Sequence, residues 1–212
     1  MKRSKKMSIL GAGLALAVAE LATAQVGANA GLLNPNLASA EQLSAVPHID
    51  PELTQKILDA RPFLGPEELQ EVMSAALNQD ELDSVYRQLF LPIHLNEASL
   101  ESILSIPGVG ERMAHEFEEY RPYKALAQFR REIGKYVDDE EVARLEQYVF
   151  VPINLNTASP EDFRTIPGVG DRLVGEFMEY RPYVDIKQFR REIGKYVDDD
   201  EVARFERYVT LN

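Results

Sequence analysis

The sequence predicts an all-α fold built from tandem units, on three observations. A stretch of about 60 residues recurs along the 212-residue chain without a gap between its two best copies. Apolar residues inside it fall at three- and four-residue spacing, and no strand-like alternation competes. Ile106-Pro107-Gly108-Val109-Gly110 and Ile166-Pro167-Gly168-Val169-Gly170 each stand between two such apolar segments. Two glycines one residue apart make a tight hairpin that exposes backbone N–H groups at a helix start. That geometry suits a phosphate, and it also simply joins two packed helices.

Residues 1–30 read as a signal peptide. Lys2, Arg3, Lys5 and Lys6 form a basic start, Ile9 to Ala19 an apolar run, and Ala28-Asn29-Ala30 a small-x-small cleavage site. Glu20 interrupts the run well short of the roughly 20 residues of a membrane span. The mature chain is therefore expected to start near Gly31, exported to periplasm, thylakoid lumen or cell exterior, with no stable membrane anchor. Three units follow, 31–93, 94–153 and 154–212. The first is the most divergent, because His48-Ile49-Asp50 replaces Gly-Val-Gly. Without those glycines it is expected not to form the same open hairpin, and to act as a cap on the array.

Each unit is expected to hold four short helices and two hairpins. In the third, Ser159-Pro160-Glu161-Asp162 reads as N-cap, proline at N1 and acidic first turn. Asp171 opens a second helix with Leu173, Val174, Phe177 and Tyr180 on one face. Arg181-Pro182 ends it, since the residue before proline is pushed out of the α region. Ile186 to Ile193 gives the third helix, and Gly194-Lys195 starts a second hairpin with a single glycine. Asp198, with Glu201 three residues on, opens the fourth helix as in a capping box.

Composition excludes several function classes. Cysteine is absent, so neither disulfides nor thiolate metal sites are available, and His48, His94 and His115 are scattered. The acidic runs 138–141 and 198–201 stand at helix starts, where capping and dipole compensation account for them. No nucleophile–base pair is legible, and no enzymatic activity is expected. The chain carries a net charge of −12. With residues 1–30 removed, 19 of 23 basic and 34 of 35 acidic side chains remain, a net of −15. Such a chain repels polyanions at long range.

The helix–Ile-Pro-Gly-Val-Gly–helix element resembles the helix-hairpin-helix motif. A unit running from Leu155-Asn156-Thr157-Ala158-Ser159 through Pro167-Gly168-Val169-Gly170 to Tyr180-Arg181 is similar to the ComEA family of exported competence DNA-binding proteins. The resemblance covers the second and third units well and the first weakly. It implies sequence-independent binding of duplex DNA by hairpin amides, often beside a monovalent cation held by hairpin carbonyls, and the acidic balance makes the expected affinity low. Carried over, the amide positions are Gly108, Val109, Gly110, Gly168, Val169 and Gly170. Arg112, Lys135, Arg172 and Lys195 stand where they could screen phosphates. Glu111 and Asp171 depart from the pattern, because an acidic first turn competes with phosphate for the same N–H groups. A more distant likeness is to PsbU, the extrinsic subunit of photosystem II, which implies a non-enzymatic scaffold in a protein complex.

Overall fold

The computed structural model describes residues 31–211; the signal-peptide reading of residues 1–30 lies outside them. The described chain is mostly helical, and one order of elements occurs three times. The first module holds α1 (Ala40–Ser44), α2 (Pro51–Asp59), α3 (Pro66–Ser74) and α4 (Gln79–Tyr86). The second holds α5 (Leu100–Leu104), α6 (Glu111–Glu119), α7 (Leu126–Ile133) and α8 (Asp139–Glu146). The third holds α9 (Pro160–Arg164), α10 (Asp171–Glu179), α11 (Ile186–Ile193) and α12 (Asp199–Glu206).

Local chemistry sets these ends. Ser159 Oγ accepts from Asp162 N–H at 3.2 Å, and Asp162 Oδ2 accepts from Ser159 N–H at 2.9 Å, closing a capping box on α9. At α12 only half of the expected box forms: Asp198 Oδ1 accepts from Glu201 N–H at 2.9 Å. Glu201 turns instead to Arg204.

The Leu-Asn opening and the Arg-Pro-Tyr corner, 27 residues apart, prove to be partners. Asn156 Nδ2 donates to Tyr183 O and Asn156 Oδ1 accepts from Tyr183 N–H, at 2.9 and 2.7 Å. Arg181 donates from Nε to Leu155 O and from Nη2 to Ala158 O. The same clamp recurs with Asn96 and Arg121, and with Asn36 and Arg61. In all three modules the Arg-Pro peptide is cis. The clamp satisfies buried backbone groups that helices cannot reach, and it accounts for much of the sequence repeat.

The expectation of no strand is corrected in a small way. Short parallel pairs join the start of a module to its end: β1 (Ile93–His94) with β2 (Val149–Phe150), and β3 (Ile153–Asn154) with β4 (Val209–Thr210). Leu33 and Leu89 make the equivalent bridge in the first module. Two-residue strands are too short to show a period of two, and they exist only because folding brings the module ends together.

One hydrophobic core runs through the first two modules, from Leu32 to Val151, and a second fills the third module. Aromatic contacts carry the packing onward. Phe90 meets Tyr148 edge-on at 4.9 Å, and Phe150 lies 4.7 Å from Tyr208. Arg207 reaches back to Pro92 O at 2.9 Å, so the end of the third module touches the end of the first.

Candidate phosphate-binding hairpins

The turns before α6 and α10 share one backbone. Gly108 and Gly168 hold φ of +83° and +82°, the left-handed region that a side chain disfavours. The Val109 and Val169 side chains are buried, and their N–H groups donate inward to Ile106 O and Ile166 O at 3.0 Å. The valine amides of the candidate set are therefore spent on closing the turn.

Gly110 and Gly170 are the N-caps and, lacking side chains, make no side-chain capping bond. The first intrahelical bonds run from Ala114 N–H to Gly110 O and from Val174 N–H to Gly170 O. The amides of residues 111–113 and 171–173 thus precede any helical partner and open beside exposed glycines. These first-turn amides, rather than the valine ones, are the donors an anion would meet.

The first module corrects the expectation that it could not make this turn. His48 takes φ of 70° where the others have glycine, and Ile49 N–H donates to Val46 O as in the other turns. What differs is the cap. Asp50 Oδ1 accepts from Leu53 N–H at 2.8 Å, so its own carboxylate occupies the site. Chain direction is kept and the anion-accepting end is closed.

Sequence reading missed the residues that hold the turns in place. Arg144 Nη1 donates to Pro107 O at 2.7 Å while its other nitrogens grip Glu141. Arg204 does the same with Pro167 O and Glu201, and only 2% of it is exposed. Recurrence of these arginines at the 60-residue spacing, against Ser84 in the first module, was the available signal.

The expected cationic neighbours are only partly free. Lys135 and Lys195 pair with Glu132 and Glu192, which also take Arg131 and Arg191 at 2.5 and 2.8 Å. The Lys135 ammonium holds the Glu132 carboxyl below its usual range, helped by Arg131, and Lys195 does so for Glu192. Each ammonium also lies over a tyrosine ring, Tyr120 at 4.7 Å and Tyr180 at 4.8 Å. Arg172 stacks on Tyr196 at 5.7 Å, and Arg112 has no ion-pair partner among the described residues. Asp171 is drawn to Arg164 at 2.8 Å, whereas Glu111 has Leu104 at the matching position. Its charge beside the amides is thus less compensated.

Among the described residues no group of three His, Asp or Glu converges as a metal site, and no helix is long and apolar enough to cross a membrane. Comparison of the chain with models of known protein families, with curated proteins and with solved structures returned no match.

Proposed function

We propose that the second and third modules are helix-hairpin-helix units that bind duplex DNA weakly and without sequence specificity, in an exported, non-enzymatic ComEA-like protein. One observation carries the reading. In these two modules a left-handed glycine and an uncapped glycine N-cap leave first-turn amides open, while the first module closes the same end with Asp50. Amides at a helix start are a ready anion site, because the unsatisfied N–H groups and the helix dipole both favour negative charge. The contact is to backbone phosphates, so it carries no base information. Arg112 and Arg172, one residue into the helix, are the cations placed to assist.

The monovalent cation implied by the resemblance would have to share hairpin carbonyls that are already in use. Pro107 O and Pro167 O already accept from guanidinium groups, and Ile106 O and Ile166 O accept from valine amides. The reading is therefore derived without one.

A second reading, a PsbU-like scaffold that binds a protein partner, draws support from the self-neutralised lysines and from Glu111 beside the open amides. Fluorescence anisotropy of a labelled duplex at about 20 mM salt, where screening is weakest, separates the two. Binding that disappears with Gly110→Asp and Gly170→Asp, which would cap the amides as Asp50 does, supports DNA. A flat titration with the unaltered protein removes the DNA reading in favour of the scaffold.

A further inference from the structure

A cleft of about 290 Å³ lies where the three modules meet, away from the hairpins. Leu64 and Pro66 of the first module line it together with the buried Ile93 and Phe150, and Arg207 joins them from the third module. Leu64 is 41% exposed, an apolar side chain held in solvent at the rim.

Its polar groups are arranged in a particular way. The Arg207 guanidinium is fixed by Pro92 O at 2.9 Å and lies over Phe150 at 5.6 Å and Tyr208 at 5.2 Å. It has no carboxylate partner among the described residues, unlike Arg130, Arg144, Arg190 and Arg204. An arginine left without an anion in so acidic a protein retains donors for a ligand carboxylate. His94 Nδ1 accepts from Asn96 N–H at 3.1 Å, which places the proton of the neutral ring on Nε2, toward Glu97 Oε1 at 3.9 Å. Burial pushes the His94 pKa below its ordinary value, so the ring is neutral near pH 7.

Glu67 and Glu97 are the carboxylates that line the cleft. Glu67 Oε1 accepts from Ser102 Oγ at 2.5 Å and Ser99 Oγ at 3.3 Å, which orients the carboxylate and leaves Oε2 for another donor. Two carboxylates against one guanidinium make the cleft net negative. A phosphate or dicarboxylate is repelled there, whereas a molecule with an ammonium and one carboxylate is matched at both ends. The volume sits at the lower edge of small-molecule sites, roughly 300 Å³.

We propose that this cleft binds a free α-amino acid with an aliphatic side chain. Its carboxylate lies on Arg207, its ammonium faces Glu67 and Glu97, and its side chain lies against Leu64. The assignment is independent of the DNA reading. Calorimetric titration of the full chain with L-leucine, L-leucinamide and N-acetyl-L-leucine tests it. Saturable binding of L-leucine is expected, with each blocked derivative weaker by at least about tenfold. Glu67→Gln, which keeps an acceptor for both serines, and Leu64→Asp should each lower affinity about tenfold while leaving the helical circular dichroism unchanged. No saturable heat at about 10 mM L-leucine, or equal binding of the amide, overturns the assignment. So does undiminished binding by the Glu67→Gln variant.

Discussion

His48 is the most informative single residue, because it makes a glycine turn without glycine. Its φ of 70° is left-handed, a conformation that costs a side-chain-bearing residue about 1–2 kcal/mol. Its imidazole lies 3.7 Å from Glu81, at the place where Arg144 and Arg204 work in the other modules. His48→Gly is therefore expected to stabilise by about 1 kcal/mol, read as a higher urea midpoint at unchanged slope. The reverse substitution separates the two glycine hairpins. A Cβ on Gly108 would lie 3.3 Å from Arg144 Nη2, but one on Gly168 would lie 2.6 Å from the buried Arg204 Nη2. Gly108→Ala is expected to cost about 1–2 kcal/mol and Gly168→Ala clearly more, a difference that equal melting temperatures would refute.

His94 carries the residue-scale pH dependence. Its folded pKa is lowered by burial, opposed by Glu97 and assisted by Arg207 and Arg121. Between the folded value and the unfolded value of about 6.5, the unfolded chain binds the extra proton. The stability contribution is therefore full above about pH 6.5 and is lost as pH falls through the folded value. His94→Asn, the residue at the matching positions 34 and 154, should flatten the loss of stability between about pH 7.5 and 5.5.

At the scale of elements, the two glycine hairpins are each held by the last helix of their own module. Arg204 ties α12 to the turn before α10 while buried, so Arg204→Ala strands Pro167 O and removes packing together with charge. A cost of about 2–4 kcal/mol is expected from that loss. Arg144, with about a third of its side chain exposed, should cost less. Thermal unfolding of the two alanine variants side by side measures the difference. Helix starts, caps and the breaks at Arg-Pro were legible because a cap or a proline acts within three or four residues. The partnership of Asn96 with Tyr123 was not, since repeated motifs announce themselves without naming what they touch.

For the whole molecule, net charge decides how DNA binding would behave. With Lys135 and Lys195 committed to glutamates, Arg112 and Arg172 remain as the uncommitted cations of the candidate set. At about −0.9 per neutralised phosphate, the slope of log K against log salt should be no steeper than about −2. A slope near −6 would mean that a different basic surface does the binding. Glu111→Lys with Asp171→Lys should tighten binding and steepen the slope by about 2, more through position 111, where no arginine offsets the acid.

By itself the sequence determined the helical class, the repeat, the acidic balance and the two glycine turns. All of these depend on neighbours a few residues apart or on a sum over the chain. Only the three-dimensional structure shows which donors stay open, and tertiary packing decides it where the arginines are concerned. The valine amides turn inward, Asp50 closes one helix start, glutamates claim the lysines, and arginines from the last helices take the hairpin carbonyls. The first three are choices among competing partners only three residues apart, whereas the arginines reach their carbonyls across 37 residues of chain, and hydrogen bonds at that separation exist only once the core has packed.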